Sequence, residues 1–224
     1  VNFNRRPMRW PTSLHRVGAV ESRGMGAAMT QKKRQPVPVN LVAGALGVGK
    51  TTVINHLLAS KPKDETWAVL VNEYGLIGLD GALIEAANGG TSRAGIEIRE
   101  VAGGCICCSA GLVFEVSLVK LLRRRPDRLL IEPTGLAALS GILDTLDRPG
   151  IRESVDVRTI FCLLDPKRFE TDLTRGEMQD QIEAADILLA SRADLATETD
   201  MQRFMAWSET LFPPKRRVSP IEQG

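Results

Sequence analysis

Short apolar runs alternate with segments of helical periodicity along most of this chain. Runs at 37–43, 66–72, 128–132, 157–164 and 186–190 are rich in β-branched residues and leucine, and Gly, Pro or acidic residues bound them. That composition predicts strands buried in a sheet. Residues 96–101 alternate apolar with charged positions and predict one additional strand. Apolar residues at 53, 54, 57 and 58 fall at helical spacing. Residues 112–124 form an amphipathic helix that ends in a basic run, and further helical segments lie around 136–146, 174–184 and 198–211. This order predicts an α/β fold with a doubly wound, mainly parallel sheet. Ligands of such sheets bind at the carboxyl ends of the strands. Residues 1–36 have no sustained period and read as a flexible N-terminal arm, and residues 87–95 read as a loop.

At the end of the first run stands Gly44-Ala45-Leu46-Gly47-Val48-Gly49-Lys50-Thr51-Thr52, which fits G-x-x-x-x-G-K-[ST] at every fixed position. Such a loop aims its backbone N–H groups at nucleotide phosphates, so Gly44, Gly47, Val48, Gly49 and Thr52 join the candidate binding residues. Glycines let the chain turn tightly and come close. Lys50 brings a positive charge to the β- and γ-phosphates, and the Thr51 hydroxyl suits Mg²⁺. The strand before and the helix after place the loop at a helix N-terminus. The fold expected is therefore a P-loop NTPase core.

Bulk composition narrows the partners. With 224 residues, 43% hydrophobic and 25% charged, the chain has material for one large core. A net charge of +2 gives no basic footprint, so nucleic acid is not implied. No run is long and apolar enough to imply a bilayer span. Three of the four cysteines crowd into 105–108, which is no disulfide framework. Reduced thiols and a cytoplasmic location are expected.

Four further motifs carry chemistry. Strand 128–132 ends in Glu132, a carboxylate suited to Mg²⁺ beside Thr51, and Gly135 follows where a backbone can sense a γ-phosphate. Cys105, Cys107 and Cys108 offer soft ligands to one Zn²⁺ or another transition metal. Residues 72–80 leave the second strand as a candidate switch whose charged members are Glu73 and Asp80. Ser191-Arg192-Ala193-Asp194 closes the run at 186–190, and Asp194 can accept two hydrogen bonds from a guanine edge. Cys162 reads as core, and His56 as a structural histidine.

Together these residues resemble the CobW-like branch of the P-loop GTPases, metal-chaperone proteins related to the nickel-insertion GTPases of hydrogenase and urease. The resemblance covers about residues 37–224 and rests on 44–52, 72–75 with Asp80, the Cys block, Glu132-Pro133-Thr134-Gly135 and 181–194. It implies GTP hydrolysis with Mg²⁺, zinc handling through the Cys block, and delivery to a metal-requiring client protein; a homodimer stays open. It also implies a GTPase domain over 37–224 without the further C-terminal domain such proteins usually carry. Two positions depart from the family pattern. Ser191-Arg192-Ala193-Asp194 replaces Asn-Lys-x-Asp, which weakens the expected guanine selectivity. Leu76 stands where an acidic residue often follows the switch motif, which makes the expected metal site leaner. The reading is a metal-responsive GTPase, with Lys50, Thr51 and Glu132 in catalysis and Glu73 and Asp80 positioning water and switch. Rivals are a nucleotide-gated binding module without hydrolysis and an ATP-dependent phosphotransferase.

Overall fold

The computed structural model describes residues 35–71, 95–100 and 110–222. Most of the arm expected over 1–36, the loop at 87–95 and the switch at 72–80 lie outside them, except Gly95 and residues 35 and 36. The described chain runs β1 (Val37–Gly44), α1 (Lys50–Ala59), β2 (Trp67–Val71), β3 (Ile96–Glu100), α2 (Ala110–Arg123), β4 (Arg128–Glu132), α3 (Leu139–Leu146) and β5 (Val155–Leu164). It continues through α4 (Phe169–Asp172), α5 (Gly176–Ala184), β6 (Ile187–Ala190), a 3₁₀ turn (Ala193–Leu195), α6 (Glu198–Glu209) and β7 (Arg217–Pro220).

The strands form one sheet in the order β3-β2-β4-β1-β5-β6-β7, and every pairing among the described strands is parallel. From β1 the chain moves outward to β2 and β3, then returns across the sheet to β4 and β5. By the general right-handed rule for parallel crossovers, moving in both directions places helices on both faces. That double cover explains why β1, β2 and β4 are apolar runs without alternation. The alternating strand β3 is an edge: Ile98 is buried while Glu97 pairs with Arg124 at 3.1 Å.

Register aligns the chemistry. Val71 stands beside Glu132, Gly44 beside Leu163, and Leu164 beside Ala190. The carboxyl ends of β2, β4, β1, β5 and β6 therefore share one edge of the sheet, with β1 at its centre. Asn40, a polar residue within β1, is satisfied by donating to the Thr159 carbonyl at 3.0 Å and accepting from Arg128 at 2.6 Å. An aromatic cluster joins α4 to α6, with Phe169 and Phe204 edge to face at 5.3 Å between ring centroids.

Element bounds differ from expectation where turn chemistry intervenes. The helix expected from 136 starts at Leu139, because the Thr134 hydroxyl accepts from the Leu136 N–H at 3.0 Å and turns the chain first. The helix α4 and the strand β7 lack a strong sequence signal. The first has four residues. The second is polar and ends in Pro220, as an edge strand can.

Candidate functional site

The phosphate loop leaves the centre of the sheet in a form only glycine permits. Gly44 has φ +140°, and a Cβ there would lie 2.5 Å from the Leu163 carbonyl oxygen of the neighbouring strand. Gly49 caps α1 with φ 99°. Among the described residues no side chain bonds that cap, and no acid occupies the first turn of α1. A helix N-terminus with no acid in its first turn favours an anion. Val48 is fully buried and anchors the loop, whereas Leu46 and Gly47 are exposed at its tip and Thr52 on α1.

Lys50 is the first residue of α1 and only 3% exposed. Its ammonium donates to the carbonyls of Gly44 at 3.2 Å and Ala45 at 3.1 Å. The charge is thus held inside the curl of the loop. Next to it, the Thr51 hydroxyl donates to Glu132 Oε1 at 2.9 Å. Glu132 ends β4 and is 1% exposed. A carboxylate and a hydroxyl brought together at low exposure form a hard-oxygen donor set, which fits Mg²⁺.

Gly135 packs against the same loop: a Cβ on it would lie 2.5 Å from the Leu46 nitrogen. The chain between Glu132 and α3 therefore lies directly on the backbone of the phosphate loop.

Two arginines that follow the carboxyl ends of β5 and β6 hold the loop tip. Arg192 donates to the Gly47 carbonyl at 2.6 Å, and its guanidinium lies 3.7 Å from Asp165. Arg168 donates to the Leu46 carbonyl at 2.6 Å and lies 3.4 Å from the buried Asp172. Arg192 reaches the loop from a left-handed backbone position, φ 54°. Ser191 is fully buried, and its hydroxyl donates to the Leu164 carbonyl at 3.3 Å. Asp194 is exposed on the 3₁₀ turn that follows. Of the Ser-Arg-Ala-Asp motif, then, Ser191 braces β5, Arg192 braces the phosphate loop, and Asp194 faces outward.

Sequence reasoning missed Arg168 and Asp165, and it took Gln181 only as the start of the 181–194 resemblance, with no role of its own. Gln181 lies on α5 and is fully buried. It accepts from the Gly44 N–H at 2.9 Å and donates to the Ala137 carbonyl at 2.7 Å. Nothing local marks it, because a glutamine between helical positions looks like a surface residue until its partners arrive. Burial pushes the Cys162 thiol up to about 12, so this cysteine is inert core material. Glu73, Asp80, Cys105, Cys107 and Cys108 lie outside the described residues.

Comparison with known proteins identifies a family and a shared fold. Residues 38–219 match the family described as CobW/HypB/UreG, nucleotide-binding domain. The chain is 45% identical over 171 residues to the zinc chaperone YeiR of Escherichia coli, covering 75% of this chain and 50% of that protein. It is 31% identical over 173 residues to the zinc chaperone YjiA of Escherichia coli, covering 74% of this chain and 52% of that one. The crystal structure of Zn(II)-bound YjiA GTPase from E. coli has the same fold, with a TM-score of 0.57 at 20% identity over 85% of this chain and 59% of that one. The chain thus spans about half the length of these two chaperones.

Proposed function

The chain belongs to the CobW/HypB/UreG nucleotide-binding family, and on that premise we propose that it hydrolyses GTP and couples its nucleotide state to binding and delivery of a transition metal. The observation that carries this reading is the Thr51–Glu132 pair beside Lys50 at the N-terminus of α1.

Loop N–H groups and the α1 dipole hold the phosphates, and Lys50 turns its ammonium from the loop carbonyls toward them. Thr51 and Glu132 would hold Mg²⁺, which when bound neutralises charge on the β- and γ-phosphate oxygens. Arg168 and Arg192 keep the loop tip in shape, so its donors need no reorganisation as charge develops. Water attacks the γ-phosphorus and the β–γ bridge oxygen leaves with GDP. Glu73 and Asp80 position that water and the switch. Asp194 accepts from the guanine edge.

Zinc is the first candidate cargo. Cys105, Cys107 and Cys108 supply thiolates that suit it. The similarity to two bacterial zinc chaperones, YeiR and YjiA, supports the same metal. The client is a metal-requiring protein.

Phosphate release by the full chain, with Zn²⁺ and with chelator, tests the proposal against Cys107→Ser and against ATP. The expected result is GTP turnover that zinc raises and that the variant no longer couples to zinc. Turnover equal with ATP would remove the guanine reading. GTP binding without phosphate release would favour a nucleotide-gated module.

A further inference from the structure

Residues 135–137 are held to the phosphate loop at both ends. At one end Gly135 sits so close to Leu46 and Ala45 that a methyl group would not fit. At the other end the Ala137 carbonyl accepts from Gln181 Nε2 at 2.7 Å, while Oε1 of the same amide accepts from the Gly44 N–H at 2.9 Å. One side chain therefore ties the exit of the Glu132 strand to the base of the phosphate loop. Gln181 is fully buried, and both halves of its amide are used in opposite senses, as acceptor and as donor. No other common side chain of this length presents a donor and an acceptor side by side at neutral pH.

The helix that carries it is built for the task. Met178, Gln181 and Ile182 form the buried face of α5, so the apolar neighbours fix where the amide points. Asp180, one residue earlier, accepts from the Ser140 N–H at 3.1 Å. That bond caps α3, whose own N-cap residue Ala138 makes no side-chain cap bond. Gln181 thus bonds the phosphate loop and the 135–137 segment, whereas among the described residues the side-chain bond of Asp180 goes to α3.

We infer that Gln181 is a positioning residue that locks residues 135–137 onto the phosphate loop and so sets how strongly the site prefers a nucleoside triphosphate over a diphosphate. The inference rests on the nucleotide reading proposed above. Pre-organisation is the physical cause. Gly135 can sense a third phosphate only if its backbone is fixed relative to the loop that holds the first two. The Gln181 amide is the link that fixes it at the far end.

The test compares Gln181→Met with Asp180→Ala and the unaltered full chain. Met keeps the length and volume but makes neither bond. Affinities for GDP and for a non-hydrolysable GTP analogue are measured with Mg²⁺, together with thermal midpoints and, where turnover exists, kcat and KM. In Gln181→Met, GDP affinity stays within about twofold while the preference for the triphosphate falls about tenfold, the loss expected for one or two neutral hydrogen bonds. Asp180→Ala lowers the thermal midpoint but leaves the preference unchanged. Loss of both affinities in step, no change in either, or the same loss of preference in Asp180→Ala overturns the inference. If Gln181→Met does not fold, Gln181→Glu, which keeps an acceptor for Gly44 and loses the donor to Ala137, is read in the same way. An unaltered chain that binds without turnover removes hydrolysis only, and the affinity ratio still decides on Gln181. An unaltered chain that binds neither nucleotide overturns the nucleotide reading and this inference with it.

Discussion

The Thr51 hydroxyl donates to Glu132 Oε1 at 2.9 Å, joining the first turn of α1 to the end of β4. The two residues are 81 positions apart in sequence, and neither would hold a divalent cation well alone. Thr51→Ala removes the hydroxyl, and Glu132→Gln removes the charge at constant shape. Each should weaken Mg²⁺-dependent nucleotide binding about tenfold or more, because a charge-assisted contact is lost at a buried site. Titration of a fluorescent GTP analogue in Mg²⁺ and in EDTA checks this. The variants should differ from the unaltered chain in Mg²⁺ and converge on it in EDTA. A deficit of equal size in EDTA would mean that the pair supports the loop rather than the ion.

Gly135 supplies a steric prediction. A Cβ there would lie 2.5 Å from the Leu46 nitrogen and 2.9 Å from the Ala45 carbonyl carbon, and both are backbone atoms that cannot swing aside. Gly135→Ala should cost about 1–3 kcal/mol of stability, the usual range for overpacking, and also weaken nucleotide binding by displacing the loop. At Gly47 a Cβ would meet nothing within 4 Å, and only its φ of +70° resists alanine. Gly47→Ala should cost about 1 kcal/mol, the left-handed backbone term alone. Urea midpoints of the two variants, side by side, separate packing from backbone strain.

Cysteine reactivity gives a third. Cys162 is fully buried and its thiol is pushed up to about 12 by burial, so almost no thiolate forms near neutral pH. Native alkylation followed by mass spectrometry should leave Cys162 unmodified until the chain is denatured. The modification that does occur should fall on Cys105, Cys107 and Cys108 and should be suppressed by equimolar Zn²⁺. Protection that extends to none of these three would sink the proposed cargo site.

A fourth concerns pH. The Thr197 hydroxyl and the Thr197 N–H hold the Asp200 carboxyl below its usual value, in a reciprocal cap that starts α6. The unfolded chain therefore takes up this proton first as pH falls. The cap's contribution is complete above the usual aspartate range and is lost as pH drops through and below it. Asp200→Asn should flatten the dependence of stability on pH between about pH 5 and pH 3, lower stability at neutrality and converge on the unaltered chain as pH falls below that range. Urea unfolding of both forms across that interval is the measurement.

The phosphate loop was legible because all its information is local. Three glycines, a lysine and a threonine lie within eight residues, flanked by an apolar strand and a helical period. Glu132 was legible by the same logic, as an acid that ends an apolar run. Asp194 was legible as an acid that follows an apolar run, and Ser191 and Arg192 only as departures from a family pattern. That Arg192 grips Gly47, and that Ser191 turns its hydroxyl into the sheet, depended on β5 lying next to both β1 and β6.

By itself the sequence determined the kind of element at most positions, the parallel α/β class and the ligand class of the loop. Each of these follows from residue periodicity and from backbone freedom over a few neighbours. Only the tertiary structure decided the strand order with β1 at its centre, the close approach of Gly135 to Leu46, the grip of Arg168 and Arg192 on the loop tip, and the amide bridge of Gln181. A buried glutamine, an arginine on a carbonyl and a glycine under a loop carry no periodic mark. Their meaning comes from partners up to 145 positions away, and those are chosen when the core packs and every buried polar group must find a bond.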